Sequence, residues 1–256
     1  MNVLESFKLN DRVALITGGN RGLGKAIARA LAEAGGRVAL TSRDTARAQA
    51  AAAEIAADTR QMCQGYACDV TDPQSVKTVV SQVANDFGQI DILVNNAGIN
   101  IRGAIDTLSL EEFKAVQDAN VTGVWLMCRA VGPYFKTQQY GRVINMGSIL
   151  SLVSMPDRTP YSTSKGAVLQ MTRALALEWA SFGITVNAIL PGPFGTDMNQ
   201  SLLDDPEKYQ AFVSRIPLGR WGELNEIGGL AVFLASNASS FVTGAGILID
   251  GGWAAQ

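Results

Sequence analysis

The sequence predicts an α/β fold: a single doubly wound domain over residues 1–256, with a parallel sheet flanked by helices. Three observations carry this. Short apolar runs alternate with longer amphipathic or Ala-rich stretches, as successive βαβ crossovers require. The runs are apolar at nearly every position, the pattern of strands covered on both faces. No Pro- or Ser-rich linker and no repeat divides the chain.

Taken in order, strands are expected at Val13–Ile16, Val38–Thr41, Ile90–Val94, Arg142–Asn145, Ile184–Leu190 and Ile247–Ile249. Helices are expected at Gly24–Ala34, Thr45–Asp58, Pro73–Phe87, Leu110–Phe135, Tyr161–Phe182 and Leu224–Ala235. Residues 193–222 break the rhythm with Pro193, Gly195, Pro206, Pro217 and Gly219 among polar residues. A long segment directly after a strand end lies where open α/β sheets bind ligands, so it reads as a substrate lid.

Composition excludes several chemistries. Histidine is absent, so no Ser-His-Asp or Cys-His site can form. Cys63, Cys68 and Cys128 show no CxxC spacing, and no metal site is expected. An odd cysteine number with no secretory leader leads to the expectation of a reduced, cytoplasmic protein. The net charge of -2 gives no field for nucleic acid, and no run of ~18 apolar residues suggests a membrane span. The partner expected is a small molecule.

After the first strand comes Thr17-Gly18-Gly19-Asn20-Arg21-Gly22-Leu23-Gly24, opening an Ala-rich helix. Glycines let the backbone turn tightly and approach a pyrophosphate, and the helix N-terminus adds N–H donors and partial positive charge. No Gly-Lys-Ser/Thr follows, which argues against a P-loop. A carboxylate ending the second strand would bind the ribose diol of NAD(H). Here stand Thr41, Ser42 and Arg43, with Arg21 in the glycine turn. Two guanidiniums and two hydroxyls suit the 2′-phosphate of NADP(H), so NADP(H) is expected over NAD(H). Asp44 reads as part of the next helix's N-cap.

Tyr161 and Lys165 are four residues apart at the start of a helix, on one face. An ammonium beside a phenol favours the phenolate and tunes it for proton transfer. Ser148 follows a strand at the carboxyl edge of the sheet, where its hydroxyl could hold a substrate oxygen.

These elements occur with others in a fixed order: the turn Thr17 to Gly24, Asp69-Val70, Asn95-Asn96-Ala97-Gly98, Asn120, Ser148, Tyr161-xxx-Lys165 and Pro191-Gly192. Over essentially its whole length the chain resembles the short-chain dehydrogenase/reductases, a family with a Rossmann fold. The resemblance implies Tyr161 as general acid/base, with Lys165 lowering its pKa and binding the nicotinamide ribose. It implies Ser148 on the substrate carbonyl and Asn120 on a water that resupplies protons. Asp69 and Val70 would contact adenine, Asn96, Ala97 and Gly98 would line the adenosine side, and Pro191, Gly192 and Thr196 would support the nicotinamide and phosphates. Asn20 and Leu23 fall within the cofactor turn. A homotetramer, packed through the helices at Leu110–Phe135 and Tyr161–Phe182, is also implied.

The stretches Asn96–Arg102, Asp205–Lys208, Arg215–Gly222 and Asp250–Trp253 resemble sugar-acid and polyol members, gluconate 5-dehydrogenases in particular. Members that reduce 3-oxoacyl-carrier-protein substrates share part of this. A sugar acid needs a cation and hydroxyl partners. Arg102 and Arg158 are the candidate cations, and Asn100, Ser151 and Ser154 the candidate hydroxyl partners. Leu150, Leu152 and Met155 could instead wall an acyl chain or a cyclic ketone. A non-catalytic NADP(H)-binding regulator and a Rossmann-type methyltransferase are the rival classes. The Ser148, Tyr161 and Lys165 set argues against both.

Overall fold

A computed structural model describes residues 2–196, 199 and 204–255. Seven parallel strands form one sheet in the order β3-β2-β1-β4-β5-β6-β7. They are β1 (Val13–Ile16), β2 (Arg37–Ser42), β3 (Cys63–Ala67), β4 (Ile92–Asn95), β5 (Gly141–Met146), β6 (Ile184–Pro191) and β7 (Gly246–Ile249). The chain winds outward from β1 in one direction, then from β4 in the other. The reversal opens a crevice at the carboxyl ends of β1 and β4, the usual ligand position in such sheets.

Eight helices are described: α1 (Gly22–Glu33), α2 (Thr45–Thr59), α3 (Pro73–Phe87), α4 (Leu110–Gln117), α5 (Gly123–Gln138), α6 (Thr159–Trp179), α7 (Pro206–Val213) and α8 (Glu226–Ala235). Side chains alternate across the sheet, so each face builds its own core. Ala14 and Ile16 of β1 join Ile27 and Leu31 of α1, Ile55 of α2 and Leu234 of α8. Val13 and Leu15 join Val80 of α3, Met127 and Val131 of α5 and Val168 of α6. At the opposite end of the sheet Asp91, 1 % exposed, accepts from Arg12 Nη1 at 2.7 Å and from the Val13 N–H at 2.8 Å.

Six of the strands fall on the expected runs; β3 was not expected. Its sequence, Cys-Gln-Gly-Tyr-Ala, lacks an apolar run because it is an edge strand with every residue partly exposed. The stretch Leu110–Phe135 is not one regular helix. A π turn at Asp118–Thr122 joins α4 to α5, with Asn120 inside it. Residues 193–222 are not all irregular, since they contain α7. Residues 197, 198 and 200–203 of that segment lie outside the described residues.

Helix starts follow their cap chemistry. Asp44 accepts from the Arg47 N–H at α2, as expected, and Asp72 accepts from Gln74 and Ser75 at α3. Ser109 and Glu112 form a reciprocal capping box at α4. By contrast, the N-cap of α1, Arg21, makes no side-chain capping bond.

The β3–α2 contact predicts a mutational effect. A Cβ on Gly65 would fall 2.3–2.4 Å from backbone atoms of Ala48 and Gln49, which cannot rotate away. Gly65→Ala should therefore cost roughly 2–3 kcal/mol in urea denaturation; a loss under about 0.5 kcal/mol would refute that packing.

Candidate active site

The turn from Thr17 to Gly24 joins β1 to α1. Gly18 and Gly22 have φ of 62° and 54°, in the left-handed region that suits glycine. The turn is tied to the end of β4 from two sides. Thr17 Oγ1 accepts from the Asn96 and Ala97 N–H groups at 3.0 Å, and Asn96 Nδ2 donates to the Thr17 and Gly18 carbonyls at 3.0 Å. A Cβ on Gly24 would collide with that amide. Asn96 thus shapes the turn with its side chain.

A cavity of about 890 Å³ opens beside this turn. It runs from Ser42, Arg43 and Asp69 past the uncapped start of α1 to Ser148, Tyr161 and Arg158. Most of the expected cofactor and substrate residues line it: Gly18, Asn20, Arg21, Gly22, Leu23, Gly24, Ser42, Arg43, Asp69, Val70, Asn96, Ala97, Gly98, Pro191, Gly192, Thr196, Lys165, Tyr161, Ser148, Arg102 and Arg158. With no side-chain capping bond at the start of α1 among the described residues, this cavity fits a dinucleotide whose pyrophosphate meets the N-terminal N–H groups of that helix.

At the adenosine end, Asp69 accepts from the Thr71 N–H at 2.9 Å and its hydroxyl at 2.7 Å. Those bonds, then the Arg43 charge, hold its carboxyl below the usual range. Thr41 departs from expectation. It is 1 % exposed, its hydroxyl has no partner among the described residues, and it does not line the cavity. Being on a central strand, it faces the core. Arg47, not anticipated, lines that end.

At the other end, β5 delivers Ser148 and the first turns of α6 deliver Tyr161 and Lys165. Lys165 is 6 % exposed, and its Nζ donates to the Met146 carbonyl at 2.6 Å. Burial lowers its pKa to about 8. Burial also pushes the Tyr161 phenol up to about 12, opposed by the Ser148 hydroxyl and then by the Arg102 charge. Lys165, expected to lower the Tyr161 pKa, stands close to the phenol. Its Nζ lies 5.5 Å from the phenol ring centroid and bonds to a peptide carbonyl.

Asn120 is the one expected catalytic residue that does not line the cavity. Its Oδ1 accepts from the Ile99 N–H at 2.8 Å, and its Nδ2 donates to the Ile99 carbonyl at 2.9 Å and to Ser164 Oγ at 3.0 Å. These bonds occupy the amide, which binds the loop after β4 to α6.

Three hydroxyl or wall residues also differ from expectation. Ser151 Oγ accepts from the Ser148 N–H at 3.2 Å and donates to the Lys165 carbonyl at 2.8 Å, so it faces inward. Ser154 is exposed, pairs with Ser162 and lies off this cavity, and Leu152 is 54 % exposed. Asn100, Leu150 and Met155 do line it. The sequence reading missed Asn199, whose Oδ1 accepts from Arg102 at 3.1 Å, and the aromatic wall of Phe212 and Trp221. Their signal was available: a cluster of aromatics in an otherwise polar segment.

The comparisons agree with this geometry. Residues 18–254 match the family model described as Enoyl-(Acyl carrier protein) reductase, of the short-chain dehydrogenase type. The chain belongs to the short-chain dehydrogenase/reductase family. It is 40 % identical to the 2-dehydro-3-deoxy-D-gluconate 5-dehydrogenase of Pseudoalteromonas atlantica, over 98 % of this chain and 99 % of that one. It is 36 % identical to the 3-oxoacyl-(acyl-carrier-protein) reductase of Haemophilus influenzae, over 95 % and 98 %. A crystal structure of a gluconate 5-dehydrogenase from Burkholderia cenocepacia, in complex with NADP and tartrate, superposes with a TM-score of 0.96 at 36 % identity, covering all of both chains. As a short-chain dehydrogenase/reductase, the protein is an oxidoreductase that uses a nicotinamide dinucleotide. No helix among the described residues is long and apolar enough to cross a membrane.

The buried ammonium predicts a pH dependence. A lysine with a folded pKa near 8, against an ordinary 10.5, binds fewer protons folded than unfolded between those values. Its burial penalty is therefore full below pH 8 and fades as pH rises towards 10.5. Relative to Lys165→Met, the wild type should gain on the order of 2–3 kcal/mol between pH 7.5 and 10. Denaturation of both proteins without cofactor reads this, and a constant difference would contradict it.

Proposed function

We propose that this enzyme interconverts a ketone and a secondary alcohol on a sugar acid of the gluconate type, with NADP(H) in preference to NAD(H). The observation that carries the substrate reading is a pair of guanidiniums beside the proton-transfer group. Arg102 and Arg158 both line the Tyr161 end of the cavity. Burial, then the Arg102 charge, lowers the Arg158 pKa, and Arg102 also favours the ionised Tyr161 phenol. Two cations held close repel, and a planar carboxylate relieves that repulsion with charge-assisted hydrogen bonds. The Pseudoalteromonas relative's name and the tartrate in the Burkholderia complex, a hydroxylated dicarboxylate, support the same reading.

At the far end, Arg21, Ser42, Arg43 and Arg47 line the cavity together with Asp44, whose Oδ1 caps α2 and whose Oδ2 pairs with Arg47 at 3.2 Å. That end offers three guanidiniums and a hydroxyl against an Asp44 carboxylate already engaged by the α2 cap and by Arg47, which suits a 2′-phosphate.

NADP(H) supplies or accepts the hydride. Tyr161 exchanges the proton with the substrate oxygen, and Ser148 holds that oxygen. The neutral phenol enforced by burial is the form that protonates a carbonyl during reduction. Oxidation needs the phenolate, favoured here by Ser148 and Arg102. Lys165 places a positive charge behind the tyrosine, within reach of a ribose in the same cavity. Asn120 acts as a positioning residue, because its amide is occupied by Ile99 and Ser164. The same reading makes the enzyme a cytoplasmic homotetramer. Leu110, Trp125 and Leu177 stand exposed on α4, α5 and α6 for symmetry mates.

A panel of gluconate, 5-ketogluconate, an acetoacetyl thioester and cyclic ketones, each with NADP(H) and NAD(H), tests this. The sugar acid with NADP(H) should give the highest kcat/KM. Arg102→Met should raise KM for the sugar acid roughly tenfold more than for a cyclic ketone. Preference for the thioester, or an equal effect on both substrates, would refute the reading.

A further inference from the structure

Five buried side-chain polar atoms have no hydrogen-bond partner among the described residues: Thr41 Oγ1, Asn95 Oδ1, Asn100 Oδ1, Thr185 Oγ1 and Trp221 Nε1. Asn100 and Trp221 are the two of these whose residues line the cavity. Trp221 is 6 % exposed. Its ring stacks on Tyr209, with centroids 5.7 Å apart and planes at 19°, and leans on Phe212 at 5.8 Å. It belongs to the apolar cluster that holds Ile149, Leu150 and Tyr161.

An indole has one polar atom, a donor, and a buried tryptophan ordinarily finds it a partner. A buried donor left unpaired destabilises the fold, and phenylalanine would fill an aromatic stack without that penalty. The neighbouring wall is apolar, formed by Leu150, Met155 and Phe212. The indole is fixed by stacking in the wall of a ligand cavity with its N–H unpaired, and an oxygen that arrives with the ligand can supply the missing partner.

We propose that the Trp221 N–H donates a hydrogen bond to a substrate oxygen other than the reacting one, and so selects hydroxylated ketones over acyl chains. The identity of that oxygen rests on the sugar-acid reading above. Asn100 offers the opposite sense, an acceptor. A hydroxyl is the group that can accept from an indole and donate to an amide oxygen. Sites built to bond a hydroxyl discriminate strongly against analogues that lack it, because their own polar groups then stay unpaired.

Trp221→Phe keeps an aromatic ring and removes the donor. The ratio of kcat/KM for 5-ketogluconate to that for an acetoacetyl thioester should fall roughly tenfold. An unchanged ratio would overturn the proposal. A second measurement does not depend on the variant's folding. The chain has four tryptophans, so ¹⁵N labelling gives four indole N–H resonances. With NADP⁺ bound, the Trp221 resonance should move downfield on adding gluconate or D-threitol, and those of Trp125 and Trp179 should not. A Trp221 resonance unmoved by either probe at saturation would overturn the proposal. If the wild type reduces the thioester but no sugar ketone, the sugar-acid reading fails. The Trp221 assignment is then decided by whether bound threitol moves its resonance.

Discussion

An ammonium group almost wholly out of water sits against the peptide carbonyl that ends β5. Lys165 is 6 % exposed and its Nζ is 2.6 Å from the Met146 oxygen. Placing a charge there is costly, and its lowered pKa is the measure of that cost. The cost sets a geometric requirement: α6 must keep its first turns over the end of β5. Three small side chains maintain this. Ser151 bridges the Ser148 N–H and the Lys165 carbonyl. Ser164 donates to the Tyr161 carbonyl at 2.7 Å and accepts from Asn120. Asn120, in the π turn between α4 and α5, binds both the N–H and the carbonyl of Ile99. Ser148, Tyr161 and Lys165 are therefore fixed relative to one another through two helices, one strand end and one loop.

The phosphate end of the cavity depends on a comparable tie. Asn96 and Thr17 lock the glycine turn to the end of β4. Both ties act at the carboxyl ends of neighbouring central strands, β1, β4 and β5, where the sheet reverses its winding. The distance from the adenosine end to Tyr161 is thus set by strand spacing, which is close to invariant. The substrate wall obeys a looser constraint. Arg102, Arg158, Phe212 and Trp221 come from loops and from the segment after β6. Reaction type is accordingly built into the sheet, and substrate choice into the connections.

The same division explains what the sequence revealed. Central strands are legible because both faces are buried, so Val13–Ile16 reads as a run with no polar break. Strand β3 was illegible because its edge position removes the need for one, and its Gly65 answers to the backbone of α2. The glycine turn, Ser148 and the Tyr161/Lys165 pair were legible because backbone shape and proton chemistry admit few residue types. The inward roles of Ser151 and Asn120 were not, since a hydroxyl or amide carries no mark of which way it faces. Asp44 was read correctly as a cap because that role is local. Asn199 was missed because its partner Arg102 is distant in sequence, and Trp221 because a cluster of aromatics in a polar segment does not say which cavity it walls.

The central claim is that Tyr161, set against the Ser148 hydroxyl and backed by the buried Lys165, holds the proton exchanged with the substrate. Single-turnover reduction by Tyr161→Phe, alongside NADPH affinity by fluorescence titration, tests it most directly. The account predicts a hydride-transfer rate lower by roughly 10²–10⁴-fold, with the NADPH Kd unchanged within about threefold, a margin well under 1 kcal/mol. A variant that transfers hydride at the wild-type rate would contradict it.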